Sequence, residues 1–288
     1  MLKSGSRALV ADHRASVKIN GHAGMLSAPW TLFNSFVMEQ LVSVRRLIRN
    51  DWSDSEQDGN LNVLAEQYLG RGEQETWERL RGTASRRREW LLGRAVAKET
   101  LCDVLAGCTG PPPGPAEIEI VADQRGCPRV KAVLVDDLQT ASVVSISHVG
   151  GVFVAAACAT PGLRGIGIDI EQVTRVNEDV MRFAFSASEL QLLQGLPAGA
   201  QANWPARLWC AKEAAGKALG VGLFSGLRDI HVSSVNATAN IVEVEARERT
   251  KEEPRLRSGP AESMVVHTSD EGGVAAAVCL WNTDAEKT

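Results

Sequence analysis

One tripeptide occurs twice in matching surroundings, and it limits the possible folds more than any other feature of the chain. Ala97-Lys98-Glu99, inside Arg86–Ala106, is echoed by Ala211-Lys212-Glu213, 114 positions later, inside Ala206–Leu219. Leu105 and Leu219 keep the same offset. Both stretches have helical periodicity, and each stops at a glycine, Gly107 or Gly220. Each is followed by β-rich runs that close on a glycine pair. Gly150-Gly151 leads into Val152–Cys158, and Gly272-Gly273 leads into Val274–Leu280. His148 has a counterpart in His267. Helix, strand and hairpin thus occur twice, which an internal duplication explains better than chance. The expected fold is α+β, with two similar halves, each a helix plus a small antiparallel sheet, related by a pseudo-twofold axis. The divisions fall at 1–60 (a helical extension), 61–163 (first half) and 164–288 (second half). Ligand sites commonly form where two such units meet, so the chemistry is expected near residues 148–217.

The remaining elements follow from local pattern. Leu32, Phe33, Phe36, Val37, Leu41, Val44, Leu47 and Ile48 recur at helical spacing and predict a helix over Thr31–Arg49. Asp51–Asn60 is polar and reads as a loop, and Leu61–Leu69 as a helix stopped by Gly70 and Gly72. A short helix is expected over 73–83. The proline-rich run Gly110–Pro115 is a stiff linker. Ile118 and Ile120 alternate with acids as in a strand, and a turn surrounds Gly126. Val143–Ser147 reads as a strand, with His148 at the tip of the following turn. Ile230–Val232, Ile241–Glu245 and Val265–His267 complete the strands.

Composition excludes several classes. The chain has 288 residues, 44% hydrophobic and 23% charged, with a formal net charge of -4. That is too apolar for a disordered chain. Apolar runs such as Gly151–Ala159 are far shorter than the ~20 residues a membrane helix needs. No secretory leader is expected, because Ala8–Ala11 is too short for its apolar core. Near-neutral charge argues against nucleic acid as the main partner. The six cysteines show no C-x-x-C spacing and no zinc pattern, which reads as reduced thiols in a cytoplasmic protein.

The most informative run is Gly165-Ile166-Gly167-Ile168-Asp169-Ile170-Glu171. With strand period, the three isoleucines face a core, and Asp169 and Glu171 share the other face, beyond two glycines that leave open space. Adjacent carboxylates repel unless a cation lies between them, and a hard ion such as Mg²⁺ suits oxygen ligands. A strand end with two unrelated acids is the competing reading. Trp209, Glu213 and Lys217 form one helical stripe, so Glu213 could complete the metal site and Lys217 could neutralise phosphate. A solvated Glu–Lys pair is the alternative there. His148 could donate to phosphate or be structural. Arg79, Arg81, Arg86, Arg87, Arg88 and Arg94 could hold an anion by forked hydrogen bonds, although a solvated helix face suits most of them better.

Three motifs in order carry a family resemblance: Ile146-Ser147-His148, Gly167-Ile168-Asp169-Ile170-Glu171, and Trp209-x-x-Lys212-Glu213-Ala214-x-x-Lys217-x-x-Gly220. Over residues 61–281 the chain resembles the larger, pseudo-dimeric (surfactin-synthetase-activating) phosphopantetheinyl transferases. The run Arg86–Arg94 is similar to members associated with polyketide synthases. The resemblance implies a holo-[acyl-carrier-protein] synthase activity. Such an enzyme transfers the phosphopantetheine arm of coenzyme A to a serine of an acyl or peptidyl carrier protein and releases adenosine 3′,5′-bisphosphate. It implies Mg²⁺ on Asp169, Glu171 and Glu213, catalysis by Glu213 and Lys217, and coenzyme A contacts from Arg86, Arg94, His148, Lys212 and Lys217. Glu189 would orient Lys217. Val149 stands where the family often has serine, and Cys127 where it often has lysine; Arg125 or Arg129 would supply the missing charge. The chain would act as a monomer or as a domain of a larger synthase, with no nucleic-acid or membrane partner. A metal-dependent phosphohydrolase of coenzyme A or a nucleotide, and a non-catalytic docking domain, are the alternatives.

Overall fold

The structure is a computed structural model that describes residues 18–19, 22–23, 26–29, 42–48, 57–109, 113–132, 142–160, 162–221, 229–246 and 262–282. In chain order, strands β1 (Lys18–Ile19), β2 (His22–Ala23), β3 (Leu26–Pro29) and β4 (Val42–Ile48) lead into helices α1 (Gln57–Tyr68), α2 (Arg71–Arg79) and α3 (Ala84–Thr109). Strands β5 (Glu119–Ala122), β6 (Pro128–Ala132), β7 (Val143–Val149), β8 (Val152–Cys158) and β9 (Leu163–Gln172) follow. Then come α4 (Glu178–Ala184), α5 (Ala187–Gln194) and α6 (Trp204–Ala218), and strands β10 (Ile230–Asn236), β11 (Ile241–Ala246), β12 (Glu262–Glu271) and β13 (Val274–Asn282). The fold is α+β, as the repeated pattern predicts.

Two antiparallel sheets form the frame, with orders β3-β4-β8-β7 and β10-β11-β12-β13-β9. Helix α3 packs on the first and α6 on the second, and edge strands β7 and β9 lie side by side between the halves. Alternation along the strands builds three cores. Phe153, Ala155 and Ala157 of β8 face α3 and its neighbours. Ala275, Ala277 and Cys279 of β13 face α6. The intervening residues, Val154 and Ala156 on β8 and Ala276 and Val278 on β13, meet Ile166, Ile168 and Ile170 of β9 in a central layer. Each isoleucine buried there contributes roughly 1.5–3 kcal/mol. The alanines leave the helices room to lie close to the sheets. Both hairpins turn on glycine pairs with positive φ: Gly150 at 54° and Gly151 at 81°, Gly272 at 59° and Gly273 at 79°. Those angles suit the tight primed turns that match strand twist.

The two halves also share a buried ion pair. Lys98 and Lys212, the lysines of the repeated tripeptides, are both enclosed. Lys212 Nζ donates to Glu189 Oε1 at 2.8 Å and to Ala184 O at 2.9 Å. Lys98 Nζ pairs with Glu73 and donates to Tyr68 O at 2.6 Å. Each glutamate also accepts from the N-cap backbone of its own helix, Gly70 or Ser186, and from a strand amide, Ile120 or Val232.

Several elements differ from the sequence expectation. Val42–Ile48 is a strand rather than the end of a helix; residues 31–41 lie outside the described residues. Val44, Leu47 and Ile48 keep helical spacing, but the strand buries Val44 in the central layer and Leu47 on the opposite face, and the β-branched content of the run favours a strand once β8 offers an edge. β4 pairs with β8 from Val42↔Cys158 to Ile48↔Val152, so this part of the expected extension belongs to the first half's sheet. α1 begins at Gln57, inside the expected polar loop, and α3 continues past Gly107 to Thr109. His148 is not at a turn; it pairs with Phe153 inside the β7–β8 ladder. Among the described residues, no helix is long and apolar enough to cross a membrane.

Candidate active site

β9 and α6 position the site because their backbones touch. A Cβ added at Gly167 would lie 1.8 Å from Ala214 O, and one at Gly165 would lie 1.9 Å from Ala218 O. The two glycines therefore do not leave open space; α6 fills it. The consequence is that Glu213 and Lys217 of α6 are brought directly over Asp169 of β9. Gly167→Ala must push α6 off the strand. It is expected to cost about 1–3 kcal/mol or more, read as a lowered thermal midpoint; an unchanged midpoint would contradict the packing.

Asp169 is the hub. Its Oδ1 accepts from Ser147 Oγ at 2.8 Å and from Lys217 Nζ at 2.8 Å. Lys217 also donates to Ile168 O at 2.9 Å and Ile146 O at 3.3 Å, which ties it to both edge strands. Its side chain keeps 26% exposure and lines the adjoining cleft. Glu213 is buried, and its Oε1 has no hydrogen-bond partner. Burial pushes its carboxyl up to about 7, with the nearby Asp169 carboxylate adding and Lys217 and Lys212 opposing. Glu171 is turned aside: its Oε1 accepts from the Gln172 amide at 2.8 Å and faces Arg175 at 3.5 Å.

These groups bear directly on a metal. Among the described residues no three acids, histidines or cysteines gather into a metal cluster. Asp169 and Glu213 nonetheless form a repelling acidic pair with an orphaned buried oxygen, and a divalent cation would relieve both features. The pair fits such an ion, and Glu171 is the nearest further acid on the same strand face.

A cleft of about 330 Å³ opens from Lys217 between the halves. Arg125, Arg129, Arg164 and Lys217 line it, and among the described residues no carboxylate does. Arg125 Nη1 donates to Gly220 O at 3.1 Å, Arg129 Nε to Asp123 Oδ2 at 3.1 Å, and the Arg164 guanidinium lies 5.1 Å over the Trp281 ring. Cys127, one of five free cysteines among the described side chains, sits in the same wall. This chemistry suits a polyanionic ligand with an apolar portion.

Other expected contacts lie elsewhere. Lys212 is 1% exposed and serves the Glu189 pair, so it does not reach the cleft. Glu189 correspondingly holds Lys212 rather than Lys217. Arg94 stacks 3.6 Å from the Trp90 ring centroid and faces Glu73 at 3.4 Å, inside the first half. Arg86 is exposed, and neither arginine lines the cleft. His148 is exposed and stacks on Phe153 at 5.5 Å, on the opposite face of β7 from Ser147. Ser145 and Ser147 were the residues to look for. Ser145 Oγ accepts from Ile168 N at 3.1 Å, and both hydroxyls alternate toward β9, a period-two signal present in Val144–His148.

The Glu189 pair sets an acid limit. Burial pushes the Glu189 carboxyl up, but Lys212 and the Ser186 and Val232 amides outweigh it, leaving the group below its ordinary value of 4.5. A depressed carboxyl contributes stability that is present above that value and lost as pH falls through the folded one. Between about pH 5 and 3 the thermal midpoint should fall, and less steeply in Glu189→Gln; parallel curves would contradict this.

Residues 165–279 match the family model of the 4′-phosphopantetheinyl transferase superfamily. The matched segment holds Asp169, Glu171, Glu213 and Lys217, together with α6 and β10–β13. Three solved structures are similar. One is the holo-[acyl-carrier-protein] synthase of Thermotoga maritima, 20% identical over 42% of this chain and 65% of that one, with a TM-score of 0.30. Another is the holo-(acyl-carrier-protein) synthase of Bacillus anthracis str. Ames in complex with CoA (3′,5′-ADP), 22% identical over 42% and 98%, TM-score 0.29. The third is the Neisseria meningitidis enzyme, 23% identical over 41% and 97%, TM-score 0.30. The chain thus spans 65% of the Thermotoga protein's length. No curated protein matches the chain.

Proposed function

We propose that the chain is a 4′-phosphopantetheinyl transferase that uses coenzyme A and Mg²⁺ to modify a serine of an acyl or peptidyl carrier protein. The observation that carries this reading is the Asp169–Lys217–Glu213 cluster at the inner end of an arginine-lined cleft, inside the segment that matches the superfamily. In the reaction, the serine Oγ forms a bond to the β-phosphorus of coenzyme A. The bond from that phosphorus to the bridging oxygen breaks, and adenosine 3′,5′-bisphosphate leaves. The serine proton passes to a base.

The protein's tasks are positioning and charge. Arg125, Arg129 and Arg164 hold the phosphates of the nucleotide end in the cleft. Lys217, fixed by two carbonyls and Asp169, presents its charge at the cleft's inner end. Asp169 and Glu213, joined by Glu171, would hold Mg²⁺, which supplies positive charge against the pyrophosphate. Glu213 is the carboxylate of this cluster assigned to take the serine proton. The setting is a cytoplasmic enzyme, free or within a synthase.

The test is release of adenosine 3′,5′-bisphosphate from coenzyme A with and without an apo carrier protein. Release that requires the carrier supports transfer. Release without it would mean hydrolysis, and no release with a panel of carriers would mean a docking role.

A further inference from the structure

The duplication that gives Lys98 and Lys212 equivalent places also carries the candidate site into the first half, with its charges rearranged. Asp169 lies opposite Ala277, the fourth residue after the Gly272-Gly273 turn. The fourth residue after Gly150-Gly151 is Ala155, and opposite it stands Arg45 of β4. On the helices, the offset that relates the tripeptides places Glu99 at the position of Glu213 and Asp103 at that of Lys217. Two residues along the strands, Leu47 opposite Phe153 takes the place of Glu171 opposite Ala275.

We propose that Arg45, Glu99 and Asp103 are a charge-inverted copy of the candidate site, in which the Arg45 guanidinium is a built-in cation that closes this position to a metal ion. Arg45 forks onto Asp103, with Nε to Oδ2 at 2.5 Å and Nη2 to Oδ1 at 2.6 Å, and its Nη1 lies 3.6 Å from Glu99 Oε2. Ser43 Oγ donates to Asp103 Oδ2 at 3.1 Å, and the Tyr68 hydroxyl donates to Glu99 Oε1 at 2.7 Å. Three of the four carboxylate oxygens of the copy therefore accept a hydrogen bond, and the fourth, Glu99 Oε2, faces the guanidinium at 3.6 Å. At the equivalent Glu213, Oε1 has no hydrogen-bond partner. The guanidinium takes the place between the two carboxylates that an incoming ion would need, and Leu47 removes the further acid. The strand that supplies Arg45 precedes the expected first half, which gives β4 a role: it completes the sheet and seals the second site. The metal part rests on the functional reading above; the charge inversion rests on register and distances alone.

A charge-swap cycle tests it by thermal unfolding in EDTA. Arg45→Asp gathers three acids and Asp103→Lys opposes two cations, so each is expected to lower the midpoint by roughly 5 °C or more. The double variant rebuilds the pair in the polarity of Asp169 and Lys217 and should recover at least half of the combined loss. If a single variant does not fold, a folded double variant supports the proposal equally. A double variant no better than the worse single one, or also unfolded, overturns it. In a second arm, Arg45→Ala should bind one more Mn²⁺ than the native chain, by equilibrium dialysis, and gain more stability from it. An unchanged count overturns the built-in cation. A native chain that binds no Mn²⁺, with the swap still recovering, refutes the functional reading and leaves the inverted copy standing.

Discussion

Asp169→Ala is expected to cut pantetheine transfer by roughly 10³-fold or more while leaving the chain folded. Asp169 is the point where Ser147, Lys217 and the Glu213 field converge. Its loss removes one of the two acids that fit a cation and releases the lysine from the carboxylate it is paired with at 2.8 Å. Lys217 keeps the Ile146 and Ile168 carbonyls, so the lysine stays near its place and the fold is spared. The site would then hold its charges without the group that aligns them. Initial rates with saturating coenzyme A and carrier measure the effect, with circular dichroism as the check on folding. A folded variant retaining more than about a tenth of the native rate would contradict the role given to Asp169.

Lys212→Met is expected to act on stability instead. Lys212 and Glu189 are each 1% exposed, and removing the ammonium leaves a carboxylate buried without its cation. Breaking such a pair costs about 3–5 kcal/mol. Glu189 also joins the N-terminus of α5 to β10 through the Ser186 and Val232 amides, so the loss would loosen both elements. At a temperature where the variant remains folded, its KM for coenzyme A should match that of the native chain. An unchanged midpoint with a raised KM would return Lys212 to the coenzyme.

The outcome for Lys212 shows where sequence reasoning stops. Glu213 and Lys217 are four apart and share a helix face, and the structure brings both to Asp169. Lys212 is one residue earlier, about 100° around the helix, so it points into the second half's own core. The motif contains both lysines, and spacing alone does not say which is satisfied internally. The partner of Lys212 was nonetheless written in the sequence: Ser186-x-x-Glu189 is a capping box, which fixes Glu189 at a helix start beside α6. The duplication was legible because two tripeptides, two glycine stops and two Gly-Gly turns keep their order. β4 was not, because Val44, Leu47 and Ile48 keep helical spacing, while the strand buries Val44 and Leu47 on opposite faces once it pairs with the open edge of β8. The arginine-rich stretch was equally mute. Arg94 stacks on Trp90 four residues earlier in α3, but what sets it apart from Arg86 is Glu73, a contact created by packing α2 and α3 together.

The cleft arginines come from two distant segments, 125–129 and 164, and converge only when the halves meet. Their meeting with Asp169, Glu213 and Lys217 is the central claim. It is tested most directly by the intact mass of an apo carrier protein incubated with coenzyme A, Mg²⁺ and this chain. The carrier is expected to gain the mass of one phosphopantetheine group on its serine with the native chain and to gain none with Asp169→Ala. A carrier left unmodified across a panel of acyl and peptidyl carriers, by a chain shown to be folded, would contradict the account.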